Sequence, residues 1–304
     1  MSLGLPRTPR TSFARQMVAA SLGLCLILAA AGPDVPLRVP PQGLYEGCPP
    51  SAGDACGARL AAIAAAGFRY VLNYSAWYGS PAEVLRYADT AAMLGLQLIW
   101  PLNHPAWRDI GTLPATYSSF AEGGSELSNW EFASQAVGLV ASHPATWGFY
   151  IGDEAPRWEA DRVAALSAAV RRLAPDKPQL YIARPGAARL LPFAPLVDVA
   201  GVDTYPVGSS DPAVGQAART ARAVTAEAGV GTAMVLQAFA WSQYRPAPVP
   251  LYPAEERLRA MRDAAIRHAR PSLILWYSYQ DIMRSDHPRR RWSELVRGAF
   301  APLD

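Results

Sequence analysis

From residue 40 onward the chain alternates between two hydrophobic grammars. Short, nearly continuous apolar runs rich in β-branched and aromatic residues occur at 43–47 ("GLYEG"), 68–74 ("FRYVLNY"), 96–102 ("LQLIWPL") and 146–152 ("TWGFYIG"). Four more follow at 178–184 ("PQLYIAR"), 197–205 ("VDVAGVDTY"), 232–239 ("TAMVLQAF") and 272–279 ("SLILWYSY"). Runs of this kind are strands buried on both faces, as in a parallel sheet covered by helices. Between them lie Ala-, Leu- and Arg-rich segments with helical spacing, such as "ACGARLAAIAAAG", "SPAEVLRYADTAAMLG", "DRVAALSAAVRRLAP", "DPAVGQAARTARAVTAEAG" and "PAEERLRAMRDAAIRHA". The first two end in Gly, and the second opens on Ser80 and Pro81, an N-cap followed by a first-turn residue. Acids stand near the starts of the later segments and arginines near their ends, which suits the helix dipole.

Eight strands alternating with helices predict an α/β fold, the (β/α)8 TIM barrel, because parallel strands need crossover helices to return the chain. A doubly wound open sheet is the other arrangement considered, but "YEGCPPSAG" stands where a Gly-rich dinucleotide loop would follow the first strand. The pattern shows no second domain, repeat or low-complexity tract. The longest irregular stretch, 103–127, follows the third strand, and long loops in compact domains are usually functional.

The amino terminus reads differently. "MSLGLPRTPRTSFARQ" is basic and free of acids, "MVAASLGLCLILAAA" is apolar, and small residues follow, the three parts of a secretory signal peptide spanning 1–31 and cleaved near Ala31. The alternative is an uncleaved anchor, for which the apolar core falls short of the ~20 residues a spanning helix needs. Leu24 stands where a lipoprotein would carry a small residue before Cys25. The mature domain is thus expected to be 32–304, secreted or held in the cell envelope, monomeric, with no membrane span left after cleavage. Cys48 and Cys56 remain in it, and an even count at close spacing in an exported chain predicts a disulfide. Two free thiols, or half of a metal site, are the alternatives.

At 304 residues and 51% hydrophobic the chain can bury a large core. The net charge is +3, Lys177 is the only lysine, and the arginines are scattered, so no clustered nucleic-acid footprint is present. His104, His143, His268 and His287 are isolated, so neither metal ligation nor a cofactor is indicated. Only His104 is placed to meet a ligand; His143 reads as a cap or packing residue before the fourth strand.

In a barrel, chemistry collects at the carboxyl ends of the strands. Those ends carry Glu46; Asn73 and Tyr74; Asn103 and His104; Asp153 and Glu154; Arg184; Asp203 and Tyr205; Gln237 and Trp241; and Trp276, Tyr277, Tyr279, Gln280 and Asp281. Aromatic rings that stack on the apolar faces of sugars, mixed with amides, acids and an arginine that pair with hydroxyls, suit a carbohydrate ligand. Glu46, Asn73, Asn103, His104, Arg184, Tyr205, Gln237, Trp241, Trp276 and Tyr279 are therefore candidate substrate-binding residues. Several admit a structural role instead. Gln237 could be a satisfied core amide, Trp276 plain barrel packing, and Asp198 a structural acid.

"WGFYIGDEAP" at the fourth strand, "VDVAGVDTYP" at the sixth, "VLQAF" at the seventh and "LWYSY" at the eighth resemble the barrel glycoside hydrolases of the large retaining clan. The resemblance covers most of the mature chain in strand order. In that clan an Asn-Glu-Pro motif at the fourth strand supplies the general acid/base, so "Asp-Glu-Ala-Pro" implies that role for Glu154. The clan's nucleophile is a Glu ending the seventh strand, where this chain has Gln237. An amide cannot form the glycosyl ester of a retaining mechanism. Three possibilities follow. Another acid could serve, Asp153, Asp203 or Glu46, including a substrate-assisted variant in which Asp153 orients an acetamido group and Tyr205 or Tyr279 supports it. The enzyme could be inverting, with Asp203 as base about 6.5–9.5 Å from Glu154. Or the barrel could bind glycan in the cell envelope without cleaving it. Structural alternatives remain for each acid: an ion pair of Glu154 with Arg184, a helix cap by Asp153, loop structure for Asp203. An isomerase or lyase is disfavoured, since neither metal ligands nor a suitably placed lysine stands out.

Overall fold

A computed structural model describes residues 37–103, 120, 129–246 and 251–303. Eight parallel strands close into a barrel in sequence order: β1 (Gln42–Glu46), β2 (Tyr70–Asn73), β3 (Gln97–Pro101), β4 (Thr146–Asp153), β5 (Gln179–Ala183), β6 (Val199–Thr204), β7 (Gly231–Gln237) and β8 (Leu273–Tyr277). β8 pairs back onto β1 through Gln42 and Ile274, which leaves no free edge. Each strand falls within about two residues of its apolar run. The long helices between them are α1 (Asp54–Ala65), α2 (Pro81–Met93), α3 (Asn129–Val140), α4 (Ala160–Leu173), α6 (Val214–Ala228) and α7 (Glu255–Ala269). Short helices α5 (Ala187–Leu190) and α8 (Tyr279–Met283) follow β5 and β8. The sequence pattern did not mark α3, nor the closing helix α9 (Pro288–Phe300).

Local chemistry explains the helix boundaries. Ser80 caps α2 as a capping box, with Glu83 Oε2 accepting from the Ser80 N–H at 2.7 Å and the Ser80 hydroxyl accepting from the Glu83 N–H. α9 packs Trp292 and Phe300 on Phe68. Gln42 donates to the Ala299 carbonyl at 2.6 Å, so α9 is tied to the start of β1. Fully buried Arg262 of α7 donates to the carbonyls of Ala299, Ala301 and Pro302 and pairs with Asp263 at 2.5 Å. A buried guanidinium needs this many acceptors to offset its lost hydration.

The core has two layers. Outward-facing strand residues such as Leu44, Val71, Trp100, Phe149, Val202, Leu236 and Trp276 pack under the helices, while Tyr45, Leu72, Ile99, Tyr150, Ile182, Val235 and Leu275 fill the barrel. β4 departs from strict alternation. Its register against β5 slips between Tyr150 and Gly152, and Asp153 comes to pair with Ile182, an inward residue. From Tyr150, which faces in, unbroken alternation would have turned Asp153 out towards the helices. The extra residue at the bulge reverses it. Gly152 permits the bulge, because a Cβ there would overlap the Tyr181 ring.

Cys48 and Cys56 form the expected disulfide, with Cα atoms 5.6 Å apart, joining the loop after β1 to α1. Among the described residues no helix is long and apolar enough to cross a membrane.

Candidate active site

The mouth of the barrel is walled by tyrosines. Tyr45, Tyr74, Tyr150, Tyr205 and Tyr277 come from β1, β2, β4, β6 and β8, or from the residue just beyond, and their rings form one contact network. Tyr45 lies 5.3 Å from Tyr74 and 5.1 Å from Tyr277, ring centre to ring centre. Burial, reinforced by the negative charge of Asp153, raises the hydroxyls of Tyr45, Tyr74 and Tyr150 well above the ordinary phenol value. They are therefore neutral donors at any physiological pH.

Two of them hold Asp153. Tyr74 donates to its Oδ2 at 2.8 Å and Tyr150 to its Oδ1 at 2.7 Å, an arrangement suited to an acceptor-only carboxylate. The helix-cap alternative for Asp153 is not what forms, since the single helical turn at Arg157–Glu159 begins after Pro156 with no side-chain cap.

Glu154 follows immediately, with φ of 47°. This left-handed backbone is uncommon and costly for a residue with a long side chain. Its amide donates to the Ile182 carbonyl at 2.8 Å. It directs Glu154 towards β5 and β6, where Arg184 Nε donates to Oε2 at 2.5 Å and the carboxyl comes within hydrogen-bonding reach of Asp203. Asp203 faces the barrel interior from β6 and is 5% exposed. Its pKa is pushed well above the usual carboxylate range, first by burial, then by the hydrogen bond with Glu154 and by the charges of Glu154 and Asp153. Its Oδ1 has no protein donor among the described residues. Asp203 is thus reluctant to ionise beside two further acids, one of which, Asp153, accepts from two phenols. The gap of about 6.5–9.5 Å expected for an inverting pair does not separate Glu154 from Asp203.

Several candidates lie elsewhere. Trp276 sits between inward Leu275 and Tyr277, so alternation sends its ring under the helices, fully buried, with Nε1 donating to Gln42. Gln237 is fully buried and satisfied: Oε1 accepts from the Val207 N–H, and Nε2 donates to the Val207 and Phe239 carbonyls. It fastens two loops and presents no free group to a sugar. Tyr279 is buried against Trp292 on the helix side. Asn73 faces outward and bridges the Cys48 carbonyl and the Ser75 amide. Glu46, 2% exposed, pairs with Arg59 at 2.9 Å and accepts from the Cys48 amide, which anchors the disulfide loop. Asp198 pairs with Arg171 and accepts from the Gln179 amide, the structural part expected of it. His143 bonds Asp89 and the Ala145 amide ahead of β4.

The rest gather at the mouth. Tyr205 packs on Phe239 and Tyr277, and Trp241 donates to the Tyr205 carbonyl with Arg245 stacked over its ring at 4.4 Å. Asn103 borders a small cavity with Gly152 and Asp153, and its Oδ1 is buried with no partner among the described residues. His104 lies outside the described residues. Sequence reading passed over Tyr45 and Tyr150, although each sits one step from an outward residue in its strand. It also passed over Tyr244 and placed Asp281 at a strand end without giving it a role. They flank a cavity of about 480 Å³ beside Tyr45, Tyr74 and Tyr277, where Tyr244 donates to Asp281 at 2.7 Å. Among the described residues no group of three or more His, Cys, Asp or Glu could hold a metal ion.

No family model matches the chain, and a search of curated proteins finds no match. Solved structures do match in fold. A Bacteroides thetaiotaomicron protein provisionally designated an α-L-fucosidase aligns over 94% of this chain and 99% of its own at 13% identity, with a TM-score of 0.61. A GH113 β-1,4-mannanase aligns over 84% of this chain and 97% of its own at 12% identity, with a TM-score of 0.57. A D-psicose 3-epimerase aligns over 85% and 96% at 13% identity, with a TM-score of 0.54. The chain spans about half, 52%, of a GH2 β-galacturonidase from Eisenbergiella tayi that it also resembles. At these identities the likeness is one of fold, and it establishes that this chain is a (β/α)8 barrel of the kind that carries both glycosidases and a sugar epimerase.

Proposed function

We propose that the chain is an exported glycoside hydrolase in which Glu154 protonates the leaving oxygen. The observation that carries this reading is the juxtaposition of Glu154 with buried Asp203, next to Asp153 in its two-phenol cradle. Glycosidic cleavage needs a proton donor for the departing oxygen and a negative charge facing the anomeric carbon as it becomes cationic. Glu154 takes the first role and Asp153 the second, directly or by orienting an acetamido oxygen of the substrate. Asp203 acts through Glu154 as a positioning residue: buried and reluctant to ionise, it keeps a proton available to its neighbour. Tyr74, Tyr205, Tyr277 and Trp241, each partly exposed, offer ring faces for sugar stacking, and the fold neighbours that are glycosidases support the glycosidase reading.

The remaining parts of the reading rest on sequence. Residues 1–31 act as a signal peptide, residues 32–304 form the secreted or envelope domain, and the carbohydrate is met by a monomer. The disulfide agrees with an oxidising compartment. A second reading, a barrel that binds glycan without cleaving it, is favoured by one observation: a sealed Gln237 ends β7 where the resembled clan has its nucleophile.

The test is to incubate mature wild-type protein and Glu154→Gln with plant polysaccharides and microbial envelope glycans and to follow released sugars by mass spectrometry. Release by wild type, with turnover lower by roughly 10²–10⁴-fold in the variant, supports the hydrolase. Equal turnover removes Glu154 from the chemistry, and glycan binding by both proteins without release favours the second reading.

A further inference from the structure

Glu154 has a second neighbourhood, which hydrolysis as such does not call on. At the ends of β4 and β5 a cavity of about 420 Å³ opens directly beside it. Three guanidinium groups line this cavity, those of Arg157, Arg184 and Arg189, against the single carboxylate of Glu154. Arg184 is engaged with Glu154 at 2.5 Å. The side chains of Arg157 and Arg189 are exposed and have no ion pair or hydrogen bond among the described residues. The cavity therefore presents uncompensated positive charge facing the point at which the proposed acid works.

Trp158 forms part of the same wall and is 84% exposed. Leaving an indole in water is unfavourable, and an exposed aromatic bordering a charged cavity is the usual form of a sugar-stacking platform. Arginine forks match the paired oxygens of a carboxylate or sulfate, bind them by charge-assisted hydrogen bonds, and offer a neutral hydroxyl far less. A cavity of this volume is of a size to admit one sugar unit.

We infer that the sugar unit bound beside Glu154 is anionic, a saccharide bearing a carboxylate or sulfate that Arg157 and Arg189 receive while its ring lies against Trp158. The inference rests on the glycoside reading for the kind of ligand, and it names the class of substrate. Anion binding here also reaches Arg184, so an acidic sugar would compete with Glu154 for that guanidinium.

The test measures binding, separately from turnover. Mature wild type, R157A/R189A, R157K/R189K and W158A are titrated calorimetrically with oligogalacturonate, a sulfated galactan oligosaccharide, and neutral xylo- and manno-oligosaccharides. Wild type should bind one or both acidic ligands at least about tenfold more tightly than the neutral ones, with affinity falling as salt rises. R157A/R189A should lose roughly 10- to 100-fold on the acidic ligand alone, and the lysine pair should recover only part of that. W158A should weaken every ligand that binds. Comparison of the uronate and sulfate arms identifies the anion. Neutral ligands bound as tightly as acidic ones, or acidic binding unchanged in R157A/R189A, overturns the inference. Cleavage of an acidic glycan by R157A/R189A at the wild-type rate would do so while leaving the hydrolase reading intact. Acidic binding that depends on the two arginines, without cleavage of any glycan, would uphold the inference and remove the hydrolase reading.

Discussion

The carboxyls of Glu154 and Asp203 meet within hydrogen-bonding reach at the mouth of the barrel, one presented by a left-handed residue just past β4 and the other facing inward from β6. Burial, with the neighbouring Glu154 and Asp153 carboxyls, makes Asp203 reluctant to ionise, while Arg184 pairs with Glu154.

That contact has a thermodynamic signature. Asp203 holds its proton more tightly folded than unfolded, so its favourable contribution is complete below the unfolded value of about 4 and is lost as pH rises through the raised folded pKa. Asp203→Asn, which cannot ionise, should remove this loss. The melting temperature of wild type should fall relative to the variant between about pH 4 and neutrality. Parallel melting curves across that range would show that Asp203 does not hold its proton more tightly in the folded protein.

The cradle of Asp153 should matter more to turnover than to folding. Tyr74→Phe and Tyr150→Phe each remove one donor from the Asp153 carboxyl and keep the ring packing. Hydrogen bonds to a charged group contribute about 1.5–3 kcal/mol, so each variant should lose roughly 10- to 100-fold in kcat. The measurement is kcat and KM on whichever glycan wild type cleaves, with near-ultraviolet circular dichroism to show that packing survives. Unchanged kcat in both variants would place Asp153 outside the reaction.

Restoring the acid of the resembled clan at β7 should not create a retaining enzyme. Glu at 237 would set a carboxylate against the Val207 and Phe239 carbonyls that now accept from the Gln237 amide. Gln237→Glu is expected to cost about 1–3 kcal/mol of stability and to leave the stereochemical course unaltered. Urea unfolding and NMR of the first-formed anomer check the two halves separately.

The disulfide secures the loop that also carries the Glu46–Arg59 pair and the Asn73 bridge. Closing so short a loop stabilises by about 2.5 kcal/mol in the chain-entropy account. C48S/C56S should lower the melting temperature accordingly, and the wild type should match it when reduced. Equal stability of oxidised and reduced wild type would deny the bond a structural part.

Periodicity alone was enough to read the barrel, because alternating apolar strands and amphipathic helices follow from short-range sterics and the need to bury one face. The acid pair 153–154 was legible for the same reason, as charge at the end of a run that otherwise tolerates none. What the pattern could not decide was direction. Trp276 and Tyr277 are neighbours with opposite fates, one under the helices and the other in the mouth, and a single-residue change of register exchanges them. The same rule would have turned Asp153 outward, had the bulge allowed by Gly152 not reversed it.

Residue type and spacing along the chain therefore determined the eight strands, the fold, the Cys48–Cys56 pair and the candidate acids. Tertiary structure decided the company each acid keeps: Asp203 with Glu154, Asp153 with Tyr74 and Tyr150, and the arginines on the far side of Glu154. The physical reason is that strand and helix formation depends on neighbours a few residues apart, whereas the side-chain partners at a barrel mouth come from different strands. Their encounter depends on register, closure and bulges that only long-range packing sets.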